Sequence, residues 1–147
     1  MNLYLDTSAL VKLYVAEEGS PLCRQAVADA RLVSTSAVAY VEARAAFARK
    51  RRERTLAPAA HRGLVRSLDG DWGRYLRIEP SEALIHEAAS MAERHHLRGY
   101  DAIHLASAVL LKNRLAEQVV FSSWDHALQA AARREGLRRL PDRSRRR

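Results

Sequence analysis

Short apolar stretches alternate with helical segments along the whole chain, and this alternation limits the fold more than any other feature. Asn2–Asp6 reads as a strand that ends in an acid, and Thr7–Ala16 as a helix with Leu10, Leu13 and Tyr14 on one face. Gly19-Ser20-Pro21 stops that helix and restarts the next, with Ser20 as its cap and Pro21 at its first position. Leu22–Ala30 is then a helix and Arg31–Ser34 a strand. Ser36 caps a long helix to about Arg52, whose apolar side holds Val38, Val41, Ala45 and Ala48. Pro58 opens a helix to Trp72, and Leu76–Ile78 is a strand. Pro80-Ser81 starts a helix bearing Leu84, Ile85, Ala88 and Met91, which Gly99 breaks. Asp101–Lys112 is a strongly apolar helix, Val119–Ser122 a strand, Asp125–Glu135 a helix and Arg138–Leu140 a short edge strand. Strands joined through helices favour right-handed crossovers and a mainly parallel sheet covered on both faces. The expectation is a three-layer α/β/α sandwich over residues 1–140, followed by an Arg-rich flexible tail, 141–147. In such sheets ligands bind beyond the carboxyl ends of the strands.

Composition narrows the chemistry. The 147 residues suit one domain with one core, and 48% of them are apolar. The single cysteine, Cys23, excludes a disulfide framework and a cysteine-based zinc site, and fits a reducing cytosol. The sequence has no signal-peptide pattern and no run near the roughly 18 apolar residues a membrane span needs, so a cytoplasmic protein is expected. The net charge of +8 is concentrated: residues 138–147 carry +5 and Arg49 to Arg54 carry +4, so the remainder carries −1. Two local basic clusters suit a polyanion or an acidic partner, and a solvated helix face with a disordered tail would produce the same pattern.

Four acids stand where a parallel sheet can gather them: Asp6 at the end of the first strand, Glu42 early in the helix after the second, Asp101 at a helix start, and Asp125 just after the Val119–Ser122 strand. Asp101 and Asp125 can also be read as helix caps, and Glu42 as part of a solvated face. Asp6 resists such a reading, because burying a lone carboxylate is costly. Clustered carboxylates raise one another's pKa and need a counter-charge, which a hard divalent cation supplies through oxygen ligands. No H-E-x-x-H, P-loop or G-x-G-x-x-G motif is present, so zinc, P-loop nucleotide hydrolysis and dinucleotide binding lack support. His95 and His96 are adjacent and are expected on the surface. A haloacid-dehalogenase-type phosphatase needs a second acid two residues after the strand-end Asp, where this chain has Ser8.

Leu5-Asp6-Thr7-Ser8-Ala9-Leu10 resembles the opening motif of PIN-domain proteins. Tyr100-Asp101-Ala102-Ile103-His104-Leu105-Ala106-Ser107-Ala108 resembles their third-acid motif, and Ser123-Trp124-Asp125 their last, with Ser123 where threonine is commoner. Glu42 matches the helix-borne second acid. Order, spacing and length resemble the VapC toxins of type II toxin–antitoxin systems over about residues 1–140.

The resemblance implies a metal-dependent endoribonuclease that cleaves single-stranded RNA, a cognate antitoxin and a homodimer. It implies Mg²⁺ or Mn²⁺ held by Asp6, Asp101 and Asp125, with Glu42 holding a second ion or orienting the water. Ser8 and Ser123 are candidates for hydrogen bonds that fix the carboxylates, or are ordinary caps. His104, on the same helix face as Asp101, is either a buried, satisfied histidine or a catalytic one. Arg49, Lys50, Arg51, Arg52 and Arg54 are candidates to hold the RNA backbone, and Arg98 to contact a phosphate. Two other readings stay open: a catalytically inactive PIN fold that binds RNA or a partner, and a PIN nuclease for RNA processing or a DNA flap.

Overall fold

A computed structural model describes residues 1–145 of the chain. The elements are β1 (Asn2–Leu5), α1 (Thr7–Lys12), α2 (Ser20–Asp29), β2 (Leu32–Ser36), α3 (Ala39–Arg52), α4 (Pro58–Trp72), β3 (Leu76–Ile78), α5 (Glu82–His95), α6 (Gly99–Leu115), β4 (Val119–Ser122), α7 (His126–Arg134) and β5 (Arg138–Leu140), followed by a 3₁₀ turn, Arg143–Arg145. The strands form one sheet in the order β3-β2-β1-β4-β5, and every neighbouring pair is parallel.

The pleat of β1 divides the core. Leu3 and Leu5 point to one face, where they pack with Leu10, Cys23, Ala43, Phe47 and Leu68 from α1–α4. Tyr4 points to the other and joins Leu84, Met91, Leu105 and Leu128 from α5–α7. A strand buried on both faces is apolar through its middle, as Leu3-Tyr4-Leu5 is. The three-layer sandwich is therefore as expected, and among the described residues no helix is long and apolar enough to cross a membrane.

Several local expectations are corrected. Ser36 does not cap α3: it ends β2 opposite Ile78, and its hydroxyl accepts from the Val38 amide at 3.2 Å. The helix starts at Ala39 and buries Ala39, Ala43 and Phe47, leaving Val41 60% exposed. Gly99 is not a breaker but the first residue of α6; α5 ends instead at His96, which takes a left-handed conformation with φ 55°. Gly19, not Ser20, is the residue before α2. Its φ of 87° and the Trp124 indole, 2.5 Å from where a Cβ would lie, both require glycine. The Ser20 hydroxyl ties the preceding turn, accepting from the Glu17 amide and donating to the Val15 carbonyl. His95 is not a surface residue: its side chain is 4% exposed, and Nε2 lies 2.7 Å from Glu135. His96 is exposed as expected. Of the tail, Arg143 reaches His126 Nδ1 at 2.7 Å, while Arg146 and Arg147 lie outside the described residues.

Candidate active site

The carboxyl ends of β1, β2 and β4 and the first turns of α1, α3, α6 and α7 form one rim, which carries all four acids. Asp6 follows β1 directly, and its amide donates to the Ser122 carbonyl at the end of β4. It caps α1: Oδ1 accepts from the Ala9 amide at 2.9 Å and the Ser8 hydroxyl at 2.6 Å. Asp125 caps α7 by accepting from the Leu128 amide at 2.8 Å. The two caps are tied together. The Ser8 hydroxyl accepts from the Trp124 amide, and the Ser123 hydroxyl accepts from the Asp125 amide. Both serines thus hold the backbone that carries the acids, and Ser8 also binds the Asp6 carboxylate itself.

Asp101 is no cap. It stands in the first turn of α6, with Arg98 as the residue before the helix, and Arg98 Nε donates to Asp101 Oδ2 at 3.1 Å. The other end of the same guanidinium approaches Asp125 Oδ2 at 3.9 Å. Arg98 is therefore a cation laid across two of the acids, although its side chain is 83% exposed. Glu42 stands in the first turn of α3, where Oε1 accepts from Thr7 Oγ1 at 2.6 Å and lies 2.8 Å from His104 Nε2.

The electrostatics differ between the acids. Asp6 is 4% exposed, and burial raises its carboxyl above the ordinary value. The neighbouring His104 imidazole, the Ser123 and Ser8 hydroxyls and the Ala9 amide offset this only in part. Burial raises Glu42 too, but there the hydrogen bonds from His104 and Thr7, with the nearby charge of Arg98, prevail and hold it below the ordinary range.

The second basic cluster lies elsewhere. At about 1.5 Å per helical residue, Arg49 to Arg52 stand roughly 10–15 Å along α3 from Glu42. Arg49 pairs with Glu53 and Lys50 lies 3.8 Å from Glu17, while Arg54 follows the helix with φ 59°. Of the expected RNA contacts, only Arg98 is at the rim. Sequence reasoning gave no part to Thr7 or Tyr4 and left His104 undecided. The one local signal was the spacing of three residues between Asp101 and His104 on one helix face.

The pattern of the PIN-domain family matches residues 3–133, and the chain belongs to that family. It is 32% identical over 139 residues to ribonuclease VapC45 of Mycobacterium tuberculosis (strain CDC 1551 / Oshkosh), covering 95% of this chain and 94% of that protein. The same figures hold for ribonuclease VapC49 of strain ATCC 25618 / H37Rv. Its place within the family is thus among the VapC ribonucleases. The fold is shared with solved structures of lower identity. M. tuberculosis VapC20, described as a sarcin–ricin loop cleaving toxin, is 17% identical with a TM-score of 0.65, covering 88% of this chain and 95% of that one. Neisseria gonorrhoeae FitAcB is 18% identical with a TM-score of 0.61, covering 93% and 95%.

Among the described residues, no three Asp, Glu, His or Cys side chains converge tightly enough to hold an ion as they stand. The donor chemistry nevertheless fits a hard cation: the four acids supply carboxylate oxygens, and the Arg98 guanidinium already lies across two of them.

Proposed function

We propose that the chain is a divalent-metal-dependent endoribonuclease of the toxin type, which cleaves single-stranded RNA at the four-acid rim. The observation that carries this reading is the placement of Asp6, Glu42, Asp101 and Asp125 on one rim of a PIN fold, two of them bridged by Arg98. The kinship with named ribonucleases supports it. Asp6, Asp101 and Asp125, with Glu42, would hold Mg²⁺ or Mn²⁺. When bound, the ion polarises the scissile phosphate and lowers the pKa of a coordinated water.

The protein's own groups do the rest. Ser8 and Ser123 fix the two strand-end acids so that their carboxylates do not have to reorganise. Thr7 and His104 hold Glu42. Arg98 is held by two ion pairs of an exposed side chain, which contribute little, so it can turn to a phosphate oxygen of the RNA. Arg49, Lys50, Arg51, Arg52 and Arg54 would hold the backbone farther along the strand. The family kinship also supports a cognate antitoxin and a homodimer as partners. The presence of all four acids argues against an inactive binding module. The test is incubation of the purified protein with single-stranded and duplex RNA in Mn²⁺, Mg²⁺ or EDTA. Cleavage confined to single strands and abolished by EDTA is expected. Equal cleavage in EDTA refutes the metal mechanism.

A further inference from the structure

Behind the rim, a chain of polar groups runs into the core. Tyr4 is fully buried in the middle of β1, with its ring stacked on Phe121 at 5.5 Å and edge-on to His104 at 5.9 Å. His104 is 1% exposed, one turn into α6 beyond Asp101. Its Nδ1 lies 2.8 Å from the Tyr4 hydroxyl. Its Nε2 lies 2.8 Å from Glu42 Oε1 and 3.1 Å from Thr7 Oγ1.

Only one proton arrangement serves every contact with a neutral imidazole. A carboxylate can only accept, so Nε2 must carry the hydrogen that meets Glu42. The single hydroxyl proton of Thr7 is already donated to the same Oε1, so Thr7 cannot donate to Nε2. Nδ1 then accepts, and the Tyr4 hydroxyl gives it a proton. Both donors to Glu42 converge on Oε1 and neither engages Oε2. A leucine would fill the same space in an apolar core without any polar group to satisfy. A histidine satisfied on both sides has instead the form of a side chain held in one tautomer by a buried partner.

We infer that His104 is a positioning residue for the acid rim: its Nε2–H anchors Oε1 of Glu42, Tyr4 sets the tautomer, and Oε2 is the oxygen that Glu42 presents to the reaction. The inference rests on the reading of the rim as a nuclease site.

Two measurements test it. The first is nitrogen NMR of histidine-labelled, metal-free protein. His104 should show a protonated Nε2 and a bare Nδ1, and Tyr4→Phe should mix the tautomers. A hydrogen on Nδ1 with a bare Nε2 overturns the proposal. The second is RNA cleavage kinetics in Mn²⁺. His104→Leu should lower kcat about 10- to 100-fold with KM for RNA unchanged. His104→Gln, whose amide can donate near the position of Nε2, should recover most of that loss. In a Glu42→Gln background, His104→Leu should cost less than about twofold more. A full additional loss there means that His104 does not act through Glu42. If His104→Leu does not fold, Tyr4→Phe and His104→Gln carry the same test. An inactive wild type with the expected tautomer refutes the nuclease reading, whereas an active wild type with additive losses refutes this inference alone.

Discussion

Replacing Asp6 by asparagine should stabilise the metal-free protein and weaken the metal-bound one. Burial raises the Asp6 carboxyl above its ordinary value, and the neighbouring His104 imidazole and the hydrogen bonds to it return it only in part. An acid with a raised folded pKa binds its proton more tightly in the native state. Stability therefore falls as pH rises from the unfolded value through the folded one, and stays reduced above it. Asn is as good a cap as Asp, and its Oδ1 can keep the bonds from the Ala9 amide and the Ser8 hydroxyl. The substitution gives up a charge at a helix N-terminus, worth about 0.3–1 kcal/mol. It removes the larger cost of a buried carboxylate, so the net gain is on the order of 1–2 kcal/mol. With an unfolding entropy of about 2.1 cal/mol/K per residue, this chain should melt roughly 3–6 °C higher. Melting curves of both proteins in EDTA should show that gain at neutral pH and its loss near pH 3–4. Saturating Mn²⁺ should reverse the ranking, since it binds the wild-type site and stabilises it by mass action. If Asp6→Asn melts below the wild type in EDTA at neutral pH, the hydrogen bonds to the carboxylate outweigh its burial, and the reasoning from burial fails at this position.

Other substitutions probe separate parts of the account. Arg98→Gln removes the cation lying across Asp101 and Asp125, so calorimetry should show tighter Mn²⁺ binding by the free protein, while RNA affinity falls and loses part of its salt dependence; unchanged values for both would separate Arg98 from the site. Gly19→Ala forces a side chain into a left-handed backbone and against the Trp124 indole, so denaturant unfolding should show a loss of about 1–3 kcal/mol, and an unchanged midpoint would mean that the turn relaxes freely. Glu42 behaves opposite to Asp6 with pH: its carboxyl is held low, so its stabilising contribution is present above the ordinary carboxylate range and is lost as pH falls through the lowered value, a loss that Glu42→Gln should abolish in acid melting curves.

Legibility in the sequence followed the range of the interactions. The run Asn2–Leu5 closed by Asp6 was readable because a central parallel strand is apolar on both faces, so an acid directly after it stands out. The buried face of α3 was not readable. Alanines put apolar residues on two sides of that helix, and only packing against α1, α4 and β2 decides that Phe47 and Ala43 point inward while Val41 does not. Asp101 could be taken for a cap because Gly99 looked like a break, although the preceding helix ends by a left-handed turn at His96. His95 pairs with Glu135, 40 residues on, and Tyr4 with His104, 100 residues on. Contacts at such separation leave no local periodicity. For the same reason the acids could be found one by one, while the Tyr4–His104–Glu42 chain behind them could not.

The central claim is that the four acids act as one catalytic site. Its most direct test is the rate of cleavage of an end-labelled single-stranded RNA in Mn²⁺, under single-turnover conditions, by the wild type and by Asp6→Asn, Glu42→Gln, Asp101→Asn and Asp125→Asn. Each variant should melt cooperatively and yet cleave more slowly by a factor on the order of 100 or more. Wild-type rates in folded Asp101→Asn and Asp125→Asn, the two acids that Arg98 bridges, would contradict the account.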